Sequence, residues 1–160
     1  MTGTARIDRA SAHVPAPADT VLAAFLDAEA LATWLPPIGM TGRVDTMDAR
    51  PGGGFTMVLR HETGGLGKSS ATDDHFAVRF TEIDPPRRIV WSVRFKTEDP
   101  LFHGDMRQDW TFASVPDGTE VAVACTDVPP GIRSEDHAAG LAASLANLTT
   151  HFDRADRDCL

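Results

Sequence analysis

The chain has 160 residues, a length that suits one domain with a sizeable core, and 42% of them are hydrophobic. Its 15 Lys and Arg are outnumbered by 23 Asp and Glu, which gives a formal net charge of −8. Lys occurs only at Lys68 and Lys96; the clustered positive charge that binds nucleic acid or an anionic membrane surface is therefore missing, and we predict neither partner.

The sequence also indicates where the protein works. No apolar stretch reaches the roughly 18 residues that a membrane-spanning helix needs. The first residues, Met1 to Arg6, lack the apolar core of a signal peptide. We therefore expect a cytoplasmic protein, built as a single domain over residues 1–160.

The N-terminal part of the chain predicts one strand followed by two short helices. The strand is expected at residues 5–15, and Pro17 stands where the first helix begins. A second helix is predicted at residues 29–35, and the Pro-Pro pair after it ends it. The apolar stripe of the first helix consists of Val21, Leu22, Phe25 and Leu26.

Most of the chain between residues 40 and 128 predicts β-strands separated by turns rich in Pro, Gly and Asp. Asp117-Gly118 between two alternating runs is the strongest hairpin signal. Residues 62–74 are polar and Gly-rich, and we expect a mobile loop there. The six strands are expected at residues 42–48, 54–61, 76–83, 88–95, 106–115 and 119–126.

The last thirty or so residues predict one long helix that begins near Ser134. Its apolar stripe has spacings of four, three and four residues, as one face of a helix requires. Gly140 within it costs about 1 kcal/mol relative to Ala. Such a residue is tolerable where the sheet backbone approaches the helix closely, and we expect that approach at Gly140. The stripe consists of Leu141, Leu145, Leu148 and Phe152.

This order of elements predicts an α+β fold. Consecutive strands joined by short turns favour an antiparallel sheet. Because strands twist, a sheet of about seven strands curls, and the C-terminal helix can then fill its concave side. A curved sheet wrapped around a long helix is an arrangement that commonly encloses a ligand cavity.

Several short phrases also resemble one protein family. They are residues 16–21 (APADTV), 28–34 (AEALATW), 50–53 (RPGG), 82–90 (EIDPPRRIV), 117–119 (DGT) and 140–145 (GLAASL). Together they resemble the helix-grip fold of the START-like (Bet v-like, SRPBCC) superfamily, in the branch named for homologues of the activator of a heat-shock-chaperone ATPase. The resemblance implies a helix-grip domain with two short helices after the first strand. It implies no catalytic residue, because the superfamily carries transport, sensing, cyclase and co-chaperone roles without a shared catalytic motif.

The alternation of side chains along the strands predicts which residues face a cavity between sheet and helix. On the strand of residues 106–115, Met106, Gln108 and Trp110 are expected inward, opposite a charged, solvated face. Gln108 is the polar side chain best placed to orient a bound molecule, and Trp34 is expected to close one end. The predicted ligand-binding residues are Trp34, Met57, Leu59, Phe80, Trp91, Val93, Met106, Gln108, Trp110, Leu141 and Leu145.

The sequence predicts no metal site, no cofactor and no catalytic residue. Imidazoles stand beside carboxylates at residues 61–62, 73–75 and 103–105, but none of these groups has the further ligand spacing of a zinc site, so we interpret them as surface clusters. Cys125 lies in a predicted strand without an identifiable base and is interpreted as a buried structural thiol.

Three functions remain open at this stage. The first is binding of a small apolar or amphipathic molecule. The second is a cyclase, aromatase or hydratase that uses the same cavity, for which His, Asp, Glu or Arg would supply the chemistry because the chain has no Tyr. The third is interaction with a chaperone or another protein. A homodimer through an exposed sheet edge is also possible in principle.

Overall fold

The computed structural model describes residues 6–36, 40–61 and 73–158. Residues 62–72 of the predicted loop lie outside the described residues. The chain forms seven strands and three α-helices, with a short 3-10 helix at Pro100–Phe102. In chain order they are β1 (Asp8–Val14), α1 (Ala18–Ala23), α2 (Ala28–Trp34), β2 (Met40–Asp48), β3 (Gly54–His61), β4 (Asp73–Asp84), β5 (Arg88–Phe95), β6 (Met106–Val115), β7 (Gly118–Thr126) and α3 (Ser134–Asp158).

The seven strands form one antiparallel sheet in the order β1-β7-β6-β5-β4-β3-β2. The sheet curls into a half-barrel around α3, so the predicted helix-grip fold is confirmed. The strand bounds agree with the prediction to within three residues; β1 begins at Asp8 rather than at residue 5, and β4 begins at Asp73 rather than at residue 76. None of the described helices is long and apolar enough to cross a membrane.

Alternation along the strands decides which face of the sheet is buried. In β6 the even-numbered residues from Met106 to Phe112 are buried, and their neighbours are exposed or half-buried. In β7 buried and half-buried residues alternate along the whole strand. The odd-even pattern therefore places one face of each strand on the concave side, where the core lies.

The two short helices fill one end of the concave side with aromatic rings. Phe25, in the turn between α1 and α2, lies 4.5 Å from Trp34 and 4.9 Å from Trp110, measured between ring centroids. The Trp34 indole N–H donates to the Ala24 carbonyl over 3.0 Å. This bond satisfies the polar atom of a side chain that is completely buried. The first helix is shorter than its apolar stripe predicts, because Phe25 and Leu26 already belong to the turn.

The long helix α3 makes its main backbone approaches to β1 and α2. Two side-chain hydrogen bonds hold it against the residues that follow α2. The Ser144 hydroxyl donates to the Leu35 carbonyl over 2.6 Å, and the Asn147 amide donates to the Pro36 carbonyl over 2.7 Å. The predicted stripe is buried at Leu145 and Leu148, which are 1% and 0% exposed.

We expect Leu148→Ala to lower the free energy of unfolding by about 2–5 kcal/mol, because it removes a buried side chain and leaves a cavity. Thr150→Ala, on the exposed face of the same helix, should change it by less than about 0.5 kcal/mol. Urea denaturation followed by circular dichroism measures both values. Equal values for the two variants would show that α3 is not docked at Leu148.

Candidate functional site

A pocket of about 660 Å³ lies between α3 and the concave face of the sheet. Its walls come from β3 to β6 on one side and from the first half of α3 on the other. The 3-10 helix and the turn at residues 131–132 form its rim, where the Gly131 N–H donates to the Leu101 carbonyl over 2.6 Å. The sheet side is lined by Leu59, Asp74, Phe76, Val78, Trp91, Val93, Phe95, Met106, Gln108 and Trp110.

Seven of the eleven predicted ligand-binding residues line this pocket: Leu59, Trp91, Val93, Met106, Gln108, Trp110 and Leu141. The other four, Trp34, Met57, Phe80 and Leu145, face the same interior and belong to the packed core without bordering the pocket. Trp34 does not close the pocket, because its ring packs on Phe25. The next residue along, Leu35, lines the pocket instead.

The pocket-facing stripe of α3 repeats every three or four residues, as one side of a helix must. It consists of Asp136, His137, Gly140, Leu141 and Ser144, and Arg133 lines the pocket just before the helix begins. The expected close approach of the sheet at Gly140 is wrong, since a Cβ atom built there meets nothing within 4 Å. Gly140 instead borders open space, and it leaves the pocket wider beside His137.

Four residues at one level of the sheet form a continuous row of polar groups in the interior. The strand register places Trp91, Gln108, Cys125 and Asp8 side by side across β5, β6, β7 and β1. We call this set the polar row. The Trp91 indole N–H donates to Gln108 Oε1 over 2.6 Å, so the amide predicted to orient a ligand already has its oxygen engaged. By contrast, the buried indole N–H of Trp110 has no hydrogen-bond partner in the described part of the chain.

The polar row ends at Asp8, a buried carboxylate that contacts both the Arg6 guanidinium and the His137 imidazole. Asp8 accepts hydrogen bonds from Arg6, at 3.1 Å from Nε and 2.8 Å from Nη2. Its Oδ2 also lies 2.6 Å from Nδ1 of His137, which lines the pocket from α3. Burial alone raises the pKa of Asp8, but the hydrogen bonds from Arg6 and His137 outweigh it and hold that pKa below its usual value.

Cys125 completes the row as an unreactive thiol. It is 0% exposed. Burial raises the pKa of the Cys125 thiol to about 12, the nearby Asp8 carboxylate adds to that effect, and Gln108 partly offsets it. Since the thiolate is the nucleophile, a pKa so far above neutrality leaves Cys125 structural, as the sequence predicts.

The surface prediction is wrong for the cluster at residues 73–75, because Asp74 is 1% exposed and lines the pocket. The cluster at residues 103–105 is engaged locally. Nε2 of His103 lies 2.9 Å from the Thr97 carbonyl oxygen, and Asp105 is paired with both Nε and Nη2 of Arg94 at 2.7 and 2.8 Å. Glu62 of the first cluster lies outside the described residues. Among the residues that the structure describes, no group of three or more His, Cys, Asp or Glu could hold a metal ion.

Sequence reasoning missed the polar residues that line the pocket from α3 and the rim. His137 is the main omission, because its partner Asp8 stands 129 positions away and no local motif joins them. One signal was available: Asp136, His137, Gly140 and Ser144 lie on the stripe that includes Leu141. A polar patch next to the apolar part of a stripe indicates a helix side that is not fully covered.

The chain was compared with known proteins. The family model described as "Activator of Hsp90 ATPase homolog 1-like protein" matches residues 15–153. Protein CV1439 from Chromobacterium violaceum has a solved structure with 31% identity and a TM-score of 0.82, covering 92% of this chain and 96% of that one. The AHSA1-like protein from Aeromonas hydrophila has 21% identity and a TM-score of 0.70, with 94% of each chain covered, and this likeness concerns the fold alone. Among curated proteins, none matches the sequence.

The hydrogen bond between Trp91 and Gln108 gives a prediction on stability. Gln108→Leu leaves a buried indole N–H without an acceptor, which costs about 1–3 kcal/mol of unfolding free energy. In a Trp91→Phe background the same change should cost less, with a coupling of about 0.5–3 kcal/mol in a double-mutant cycle. Urea denaturation of the four proteins measures it.

Trp110→Phe is the matched control for that cycle, because the Trp110 N–H has no hydrogen bond to lose in the described structure. Gln108→Leu should cost the same in this background as in the wild type. A coupling as large with Trp110 as with Trp91 would show that the two rings respond to packing rather than to the hydrogen bond.

We expect iodoacetamide at pH 8 to leave Cys125 unmodified in the native protein and to alkylate it after denaturation in urea. The reason is that the folded thiol is buried and its pKa is raised to about 12, so its thiolate is scarce at that pH. Peptide mapping by mass spectrometry separates Cys125 from Cys159. Rapid native alkylation of Cys125 would contradict its burial.

Proposed function

The chain belongs to the Activator of Hsp90 ATPase homolog 1-like protein family, and we propose that it binds a small apolar or amphipathic molecule in the pocket between its sheet and α3. The observation that carries the proposal is the pocket itself. Its volume of about 660 Å³ falls within the roughly 300–1,000 Å³ of typical small-molecule sites. The proposal concerns binding and leaves the identity of the molecule to experiment.

The lining of the pocket supports an apolar body for the bound molecule. Trp91 and Trp110 border the pocket with their rings, whose centroids lie 5.7 Å apart, although each residue is 1% exposed. Met106 and Val93 continue that wall toward the rim, and Leu141 faces them from the helix. Such surfaces gain free energy by removing apolar area from water, at about 25 cal/mol per Å². A planar aromatic or alicyclic molecule suits these walls best.

The charged residues lie where a polar group of the same molecule could meet water. Asp99, Arg133 and Asp136 line the pocket and are exposed. They carry both signs of charge, with the acidic sign in excess. This distribution favours a neutral or weakly polar head group over a carboxylate, because two aspartates would repel an anion.

One observation favours the enzyme alternative. His137 lines the pocket and is held by the Asp8 carboxylate, a pairing that orients an imidazole for proton transfer in many enzymes. A cyclase, aromatase or hydratase would use such a group. The same geometry also serves binding without reaction, so binding is the function we propose first and turnover is a question for an assay on the bound compound.

Interaction with a chaperone is supported by the family name alone. A protein-binding surface is commonly a contiguous exposed apolar patch. Within the described ranges the exposed large hydrophobic side chains are Ile7, Leu101 and Val115. Ile7 precedes β1, Leu101 belongs to the 3-10 helix, and Val115 is the last residue of β6. We therefore place the pocket ahead of the surface as the functional feature.

The first test is mass spectrometry of the gently purified protein under native and then denaturing conditions. We expect a small compound that leaves on denaturation. In parallel, 2-methoxynaphthalene serves as a neutral apolar probe in ligand-observed NMR, and we expect saturable binding to the wild-type protein.

Gly140→Leu tests whether the pocket is the binding site. A Cβ atom there meets nothing within 4 Å, and a leucine side chain extends from it beside the pocket. We expect probe affinity to fall at least about tenfold while thermal stability is maintained, because Leu favours a helix more than Gly. Ala142→Leu, on the exposed face of the same helix, is the control and should bind like the wild type. Equal affinity for all three proteins would exclude this pocket as the site, and absence of both a co-purified compound and probe binding would contradict the proposed function.

A further inference from the structure

We propose that His137, oriented by Asp8, is the hydrogen-bond acceptor of the pocket, and that it selects molecules carrying a hydroxyl or another weakly acidic donor. This inference rests on the proposed function, since it names the chemical class that the same pocket would prefer. It goes further by assigning that preference to one atom, Nε2 of His137.

The geometry leaves one ring nitrogen of His137 for the pocket. Nδ1 lies 2.6 Å from Asp8 Oδ2, a short and charge-assisted contact. Nε2 makes no hydrogen bond within the ranges that the structure describes, and the side chain is 11% exposed. The residue lines the pocket from the α3 side. The side chain as a whole is mostly removed from water, and a polar atom without a protein partner at a pocket wall is a ready contact for a bound molecule.

The ionisation of Asp8 fixes which nitrogen holds the proton. Arg6 donates two hydrogen bonds to the carboxylate in a bidentate pair, and the pKa of Asp8 is held below its usual value despite the burial that opposes it. An ionised carboxylate only accepts hydrogen bonds. Nδ1 of His137 must therefore carry the hydrogen, and in the neutral imidazole Nε2 then presents its lone pair. In that neutral form the pocket offers an acceptor at this place, not a donor.

The charges around His137 exclude an anion as the preferred partner of Nε2. Asp136 is adjacent on the same helix, and Asp99 stands on the rim. Arg133 is the one positively charged side chain of the lining, and it is 78% exposed and 3.7 Å from Glu135. A neutral alcohol, phenol or enol satisfies Nε2 without bringing negative charge toward these carboxylates.

Burial makes this preference measurable. A donor that meets Nε2 away from water forms a stronger hydrogen bond than it would at the surface. A molecule of equal shape that lacks the donor leaves the nitrogen desolvated and unpaired, which weakens its binding. The preference is therefore a ratio of affinities between two molecules that differ only in the donor.

The probes 2-naphthol and 2-methoxynaphthalene form such a pair, since both present the same rings and only the first can donate. Ligand-observed NMR titrations give the two dissociation constants. We expect the wild-type protein to bind the naphthol roughly tenfold more tightly, a typical value for one buried hydrogen bond. In His137→Phe the ratio should fall to about one, with the affinity for the ether retained.

His13→Phe is the matched control, because His13 is an exposed histidine at the other end of β1 from Asp8. The ratio of the two probe affinities in this variant should equal that of the wild type.

A second measurement needs no variant. In the wild-type protein labelled with ¹⁵N-histidine, we expect the Nε2 resonance of His137 to have the position of an unprotonated nitrogen, and to shift on adding the naphthol but not the ether.

The outcomes separate this inference from the proposed function. If the ether binds and the naphthol binds no more tightly, or if His137→Phe keeps the wild-type ratio, the role of His137 is overturned while the pocket function stands. A protonated Nε2 in the free protein at neutral pH would also overturn it. If neither probe binds the wild-type protein, both proposals fail together. A purely structural tie between β1 and α3 predicts loss of stability in His137→Phe with the ratio unchanged, and that result counts against the inference.

Discussion

The structure depends on one constraint: the concave face of the curled seven-stranded sheet is larger than a single helix can cover. The rings of Phe25 and Trp34 fill the part beneath α1 and α2. The long helix α3 approaches β1 and α2 most closely, and it therefore stands away from β4, β5 and β6. The pocket of about 660 Å³ is the space that remains. Its apolar walls are thus the part of the sheet's inner face that the helices leave uncovered.

The polar row explains how that apolar interior accommodates polar groups. Gln108 uses its oxygen to satisfy Trp91, and Asp8 is satisfied by Arg6 and His137. A buried carboxylate without such partners would cost several kcal/mol. Because Asp8 begins the edge strand β1, Arg6 can reach it from the preceding residues and His137 from α3. The same contacts that make the charge tolerable also fix the position of the His137 imidazole at the pocket.

The sequence predicted the faces of the strands well and the tertiary pairings poorly. Period-two alternation identified the inward side of β6 correctly, since burial of Met106, Gln108 and Trp110 requires only local register. The alternation could not distinguish a core residue from a residue of the pocket wall. Phe80 is packed in the core and Val93 lines the pocket, although both side chains face inward. That distinction depends on the curvature of the sheet and on how far α3 stands from it. The contact between Asp8 and His137 has no sequence signal, because it joins residues 129 positions apart.

Gly140 gives the strongest argument that the pocket is more than a gap in packing. A glycine in the middle of a helix costs about 1 kcal/mol relative to Ala, and such a cost is commonly offset by a close approach of another backbone. No atom stands within 4 Å of a Cβ built at Gly140, so packing offers no such compensation. Because it has no side chain, Gly140 leaves room on the pocket face of α3, one turn from His137. The local cost in helix stability therefore coincides with open space beside His137, the feature that the proposed binding function would use.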